Sequence, residues 1–340
     1  MIKYLLSVAA CLFSLQLFAG CCIDSTDSFE IGLGWRKDDL KWKTRQGYRG
    51  FVDADSEIHF KNLNFYEAYA KVHSIGCAHY ARAQADYAIT YKGRCREHFH
   101  LDAPYFGVDE LSAISHERIK RRSECFDFNG AVGYPFMFRS CRLMVSPLIG
   151  FSFHRQRLRS KARSRYWDSS FIYAQDSSSD PSSFEGSSKF SVNSLNPFGF
   201  GGSSDPFATS PSNEIIAEAL GLSIEKRTSV YRFTWYGFYL GVDIAYALDS
   251  CWTLFSQTEY HCYDRCHRKR KSLTGVQVVD RFHHSTKAYG LDQSIGLTYE
   301  MGCNYYLSIE TNMKWWKSDS KYDRLQWRTV SITSGLGYFY

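Results

Sequence analysis

The sequence predicts an all-β protein, a transmembrane antiparallel up-and-down β-barrel of about ten strands. Three observations predict it. Apolar residues recur at every second position through segment after segment, the period of a strand with one greasy face. Aromatics make up 17% of the 340 residues while the mean hydropathy is −0.35, which suits a barrel that shows apolar groups outward only at alternate positions. No internal run of about 18 apolar residues exists, so no helix spans a membrane.

The chain opens on a targeting segment. Lys3 supplies the positive start, Tyr4 to Phe18 the apolar region, and Leu17-Phe18-Ala19 the small-residue cleavage site before Gly20. Residues 1–19 are read as a signal peptide and residues 20–340 as the barrel. Phe18-Ala19-Gly20-Cys21 also has the form of a lipoprotein box, with Phe where Leu is usual.

The strands follow in order. Phe29, Ile31, Leu33 and Trp35 alternate with Glu30, Gly32, Gly34 and Arg36. From Glu57 to His73, Tyr66, Ala68, Ala70 and Val72 share one parity, and Glu67, Lys71 and His73 the other. After a turn at Ser74–Cys77, Ala81 to Ile89 oppose Arg82, Gln84 and Asp86; a long polar connection is expected from Lys92 to Arg122. Phe126 to Phe138 and Leu143 to Arg157 make the next hairpin, in which Pro147 demands a bulge because a closed barrel has no free edge. Residues 158–228 are Ser-rich and read as a long extracellular loop, with one short helix capped at Pro211-Ser212-Asn213. Alternation resumes in Tyr231–Leu248, Trp252–Tyr263, Tyr289–Glu300 and Tyr305–Trp316, with YDRCHRKRK as a basic connection. The count is ten, or twelve if Gln46 to Val52 or part of the Ser-rich loop adds a hairpin.

The last strand, LQWRTVSITSGLGYFY, sets Val330, Ile332, Leu336, Tyr338 and Tyr340 against Ser331, Thr333, Gly335 and Gly337. An apolar alternation closing on a terminal aromatic resembles the final strand of Gram-negative outer-membrane barrels. That resemblance implies that Tyr338 and Tyr340 are an assembly signal read by the barrel assembly machinery. Short turns alternate with long loops, and an even strand count puts both termini in the periplasm.

The inward parity carries Glu30, Glu67, Asp86, Asp127, Asp243, Glu259, Asp292 and Glu310 against Arg36, Lys71, Arg82 and Lys314, with His73, His154 and His261. Charges inside a small barrel must be paired or wetted. They form either a narrow aqueous channel or a static ion-pair core that plugs it. Basic runs at 116–122, 155–165 and 265–271 suggest a positive collar on the outer rim, with Arg155, Arg157, Arg268, Lys269, Arg270 and Lys271 as candidate ligands for lipopolysaccharide phosphate or sulfated polysaccharide. An exported chain excludes nucleic acid as a partner.

No cofactor is predicted and no metal. In His261-Cys262-Tyr263-Asp264-Arg265-Cys266-His267 the Cys-x3-Cys-His spacing is not that of zinc or haem sites, and an oxidising compartment favours a disulfide. Neither a phosphate loop nor a Gly-x-Ser-x-Gly elbow is present. Of eleven cysteines, Cys77, Cys141, Cys251 and Cys303 fall one to each short turn. Adjacent turns lie roughly 10 Å apart, beyond easy disulfide reach, so these four are expected to crosslink the protein to itself or to other envelope proteins. Cys95/Cys125 and Cys262/Cys266 are candidate internal pairs.

The signal, the strand count and the GLGYFY ending resemble the omptin proteases at the level of architecture. That family implies an Asp pair and an Asp-His pair on the outer rim. Glu259 and His261 have the spacing for the second, with Glu for Asp; Asp102 and Asp109 stand too far apart for the first. The cysteine content more closely resembles the major outer-membrane proteins of chlamydia-like bacteria, which implies a structural, porin-like envelope role in the outer membrane. A surface protease and an adhesin are the alternatives.

Overall fold

The computed structural model describes residues 26–48, 52–103, 108–139, 141–168, 228–274, 277–302, 304–320 and 323–340. The proposed signal peptide, Cys21, the 211–222 helix and Cys303 lie outside them. The described residues form twelve strands: β1 (Thr26–Tyr48), β2 (Val52–Ile75), β3 (Tyr80–Ala103), β4 (Val108–Ile119), β5 (Glu124–Gly133), β6 (Phe136–Phe138), β7 (Leu143–Asp168), β8 (Thr228–Ala247), β9 (Trp252–Thr274), β10 (Gln277–Glu300), β11 (Tyr305–Ser320) and β12 (Asp323–Phe339).

All pairings are antiparallel, and β1 pairs β12 from Ser28↔Phe339 to Thr44↔Asp323, which closes the sheet. β4 and β5 are two parts of one stave, since both lie between β3 and β7. β6 prolongs that stave against β7. The barrel therefore has ten staves; Gln46 to Val52 falls at the tip of the β1–β2 hairpin rather than adding another.

Closure leaves no edge for Pro147, which lies within β7. The two backbone groups of a strand residue point to one side, and the Pro147 carbonyl accepts from Tyr134 N at 3.3 Å. Its missing N–H therefore faces the break at Tyr134–Pro135 between β5 and β6. The expected bulge in the proline's own strand is replaced by an interruption in the neighbour.

On each strand the outward residues change character at one height. Beside the short turns they are apolar: Phe29, Ile31, Leu33 and Trp35 on β1, Phe238, Leu240, Val242 and Ile244 on β8, and Tyr305, Leu307, Ile309, Met313 and Trp315 on β11 are exposed. Ten residue steps at about 3.3 Å, tilted about 40°, rise roughly 25 Å, the height of a membrane belt. Above it the strands continue with cations outward, among them Arg94, Arg96, Arg118, Arg232, Lys269, Lys271, Arg324 and Arg328.

This extension corrects three expectations. Within Lys92–Arg122, residues 92–103 are the upper half of β3 and residues 108–119 are β4 rather than a loop, and Cys95, Glu97, Ser115 and Glu117 are buried. YDRCHRKRK belongs to β9. β7 runs to Asp168, so the Ser-rich loop begins later than residue 158. In all three the period of two persists, but charged residues replace apolar ones on the outer face because lipid has ended.

Inside, glycines make room for rings. A side chain at Gly335 would collide with Tyr69 and Glu30, and one at Gly337 with Tyr306. The small parity of the last strand thus seats the rings of Tyr306 from the neighbouring β11 and of Tyr69 from β2. Gly335→Val is expected to displace Tyr69 and destabilise the barrel by about 1–3 kcal/mol, read as a lower midpoint for the heat-modifiable gel shift. Ser334→Val, facing lipid on the other parity, is expected to leave that midpoint unchanged.

Candidate functional site: a charged interior under an aromatic cap

At membrane height the lumen is filled by ionised side chains. Near the short-turn rim, Glu30 accepts hydrogen bonds from Tyr69 (2.5 Å) and Ser308 (2.6 Å). Lys71 pairs with Glu310 at 3.2 Å and lies over the Phe255 ring. Tyr80 donates to Asp243 at 2.6 Å, and Arg82 joins Asp243 (2.8 Å) to Glu259 (2.6 Å). A recess of about 210 Å³ lined by Glu30, Lys71, His73, Tyr80 and Asp243 lies at this end.

One level up, Arg36 reaches Asp38 (2.8 Å), Asp127 (2.9 Å) and Glu67 (3.5 Å). Lys314 stands between Asp127 (3.3 Å) and Asp292 (3.9 Å). Asp86 accepts from Gln84 at 2.8 Å. Every member of the expected lumen network thus faces inward; all are buried except the half-buried Lys314. Some of the pairs join strands that are not neighbours in the ring, as Arg82 on β3 does with Glu259 on β9 and Arg36 on β1 with Asp127 on β5. Removing one partner would strand a buried charge, at a cost of about 3–5 kcal/mol.

Above this network sits an apolar layer. Leu40, Trp42, Phe60, Phe65, Tyr231, Phe233, Trp235, Trp316, Leu325 and Trp327 form one buried cluster. Trp316 and Trp42 turn their indole N–H groups to carboxylates, Asp292 at 2.7 Å and Asp323 at 2.8 Å. The sequence reading placed most of these residues in strands but missed the layer, because which of them meet inside depends on register between strands.

The proposed collar divides by parity. Arg268 and Arg270 are buried and paired inside, Arg268 with Asp323 and Arg270 with Glu97 at 2.6 Å. They are not surface ligands, because a strand sends alternate residues to opposite faces. Lys269 and Lys271 remain exposed, as does Arg155, and Arg157 is half-buried. Across the strands Arg157 faces Arg232, Arg232 faces Lys269, and Lys269 faces His283. Like charges directly opposite destabilise a sheet, so this row is a place where an anion would stabilise. Partial burial, with His283, Lys269 and Arg265, holds the adjacent His267 below its ordinary pKa.

The weak catalytic candidates lie under the cap. His261 is 0% exposed, with the Trp316 and Tyr239 rings at 4.3 and 5.0 Å. Across from Glu259 stand Arg82 and Asn129, not an aspartate pair.

The His261–His267 stretch does not form one ligand set either. The β9 pairings shift between His261 and Asp264, and this bulge leaves Cys262 exposed while Asp264 and Cys266 are buried. Side chains of metal-ligating type meet instead across strands, as Cys125, Asp127 and His154, and as Glu259, His261 and Asp292.

The expected internal pairs are absent: Cys95, Cys125, Cys262 and Cys266 are all free thiols. Burial pushes the Cys95 thiol well up and that of Cys266 up to about 12, which makes both inert packing groups. Cys77 and Cys141 do not stand free. Cys251 is a free, half-exposed thiol. Its turn is fixed by Asp249, whose side chain accepts from the backbone N–H of Cys251 (2.7 Å) and of Trp252 (2.8 Å).

Among solved structures, the chain is similar to the outer membrane protease OmpT from Escherichia coli, at 12% identity and a TM-score of 0.57, over 94% of this chain and 98% of that one. Ail, the attachment invasion locus protein of Yersinia pestis, matches at 9% identity and a TM-score of 0.27 over 92% and 98%. The Pseudomonas putida toluene transporter TodX matches at 6% and 0.28 over 92% and 89%. At such identities the OmpT likeness is one of fold. No curated protein matches the chain. The sequence profile of a family described as Protochlamydia outer membrane protein matches residues 30–338.

Proposed function

The chain belongs to the Protochlamydia outer membrane protein family, and we propose that this outer-membrane barrel is a closed, structural element of the envelope rather than a solute channel. The observation that carries this reading is the doubly filled interior. Ion pairs bridge the ring at membrane height, and the aromatic cluster closes over them. A ten-stave barrel is narrow enough for side chains to fill. The porin-like half of the expectation then reduces to a shared architecture. A surface protease gains little support, because Glu259 and His261 are buried beneath rings where no polypeptide would reach them.

The purified, folded barrel in planar bilayers is expected to show no stable stepwise conductance. Reproducible open-channel steps from the heat-modifiable form would overturn the closed reading.

A structural role includes attachment, for which the free thiol of Cys251 is the placed group. It is presented on a rigid turn at the rim that carries both chain ends, the periplasmic side for an even-stranded barrel. Cys77 and Cys141 do not stand free, which leaves Cys251 as the free turn thiol among the described residues. Non-reducing gels of alkylated envelopes should show reducible high-mass species that Cys251→Ser removes. Identical ladders in wild type and variant would reject Cys251 as the link.

The outward basic row supports a second role, that of holding anionic lipid headgroups against the barrel just above the apolar belt. Arg232 and Lys269 are exposed and opposed, and a phosphate between them would relieve their repulsion. Replacing Arg232, Lys269 and Lys271 by Ser is expected to weaken lipopolysaccharide binding, most at low salt, where screening is least. Unchanged binding at every salt concentration would leave these residues an ordinary solvated face.

A further inference from the structure

We propose that Glu259, His261 and Asp292 bind a divalent transition-metal ion of the Zn²⁺ class inside the barrel. Glu259 and His261 project inward from β9, and Asp292 from β10, where it is the register partner of Glu259. His261 Nε2 stands 3.4 Å from Glu259 Oε2 and 3.8 Å from Asp292 Oδ2. Those separations are long for a charge-assisted hydrogen bond, which closes to about 2.7–2.9 Å. They are near the roughly 3.3 Å between two ligand atoms that share a tetrahedral ion with bonds of about 2.0–2.1 Å.

The second observation is that two of the three converging atoms, His261 Nε2 and Glu259 Oε2, are buried with no hydrogen-bond partner. The other atom of each side chain is engaged. Glu259 Oε1 accepts from Arg82 and Asn129, both at 2.6 Å. Asp292 Oδ1 accepts from Trp316 at 2.7 Å. His261 Nδ1 is hydrogen-bonded to Ser152 Oγ at 3.4 Å, with Asp264 Oδ2 also 3.2 Å away. A carboxylate behind a ligating imidazole is the usual arrangement that fixes the ring and raises its basicity toward a metal.

Charge points the same way. Thirteen carboxyl side chains are buried among the described residues, against five buried lysines and arginines, and His154 and His261 are the buried histidines. Isolated buried carboxylates are costly, and a dication between Glu259 and Asp292 offsets two of them. Lys314, at 3.9 Å from Asp292, is shared with Asp127 and does not discharge the site alone. Three protein ligands leave a fourth position for water. With the Trp316 and Tyr239 rings packed on His261, the ion is structural and ties β9 to β10.

The test uses the full-length barrel, folded as judged by heat-modifiable mobility, stripped with dipicolinate, loaded with Zn²⁺ and desalted before metal analysis. Wild type is expected to retain about one ion per chain, and Asp264→Asn to bind it roughly 10- to 100-fold more weakly. His261→Ala and Glu259→Gln should lose the ion, whereas Cys125→Ser, at the other mixed cluster, should keep it. In the Co²⁺-loaded protein, visible bands of tetrahedral type should appear and vanish with His261→Ala. Folded wild type that retains no ion overturns the proposal without reference to any variant. So does retention in folded His261→Ala, or loss confined to Cys125→Ser.

Discussion

The structure depends on the pairing of β1 with β12. Once Ser28 meets Phe339 and the ring closes, every residue has one of two fates, lipid or lumen. Closure removes the unpaired edges that would otherwise need covering. It also fixes a narrow interior, so whatever polar groups the inward parity brings must satisfy one another there. Arg36, Arg82 and Lys314 are each shared between carboxylates from different strands for this reason. The pairs Arg36–Asp127 and Arg82–Glu259 are struts across the ring as well as neutralised charges.

The two levels of the interior differ in character. Where the wall outside is lipid, the lumen is charged; where the wall outside is wet and cationic, an aromatic layer fills it beside the buried pairs Arg268–Asp323 and Arg270–Glu97. The apolar layer keeps bulk water from one end of the ion pairs, and Coulomb interactions in such a site exceed those in water. The same exclusion makes unpaired charge expensive, so cap and network support each other. Arg36 joins them directly, with its guanidinium 5.4 Å from the Trp327 ring and 5.8 Å from that of Phe65. His154 lies stacked on Trp327 while its imidazole contacts Asp127.

The sequence made the belt and the inward charges legible because lipid enforces a strict alternation. Phe29 to Trp35 and Leu336 to Tyr340 announce their parity without any knowledge of their neighbours. The upper half was hidden for a physical reason: outside the membrane, a strand exposes Arg94 and Arg96 or Lys269 and Lys271, and such runs look like loops. The alternation there survives only in the buried partners, Cys95 with Glu97 and Arg268 with Arg270. Two further features needed coordinates. The bulge between His261 and Asp264 reverses parity and separates Cys262 from Cys266. The meeting of Asp292 with Glu259 depends on register between strands, which spacing along one strand does not give.

That dependence on register bears on what an inward Glu-x-His can do. The i, i+2 spacing only places two side chains on one face; their chemistry is set by what the adjoining strands bring opposite and above. Here β10 brings a third ligand-type group, β3 an arginine that binds one carboxylate oxygen, and β11 the tryptophan that covers the imidazole. Water activation for attack on an external substrate needs an open approach, which those rings fill. A buried histidine between carboxylates, with its free nitrogen turned toward them, is arranged to hold charge in place. In a barrel whose other buried polar groups are likewise paired across strands, Glu259 and His261 belong to the charged framework that fills the lumen.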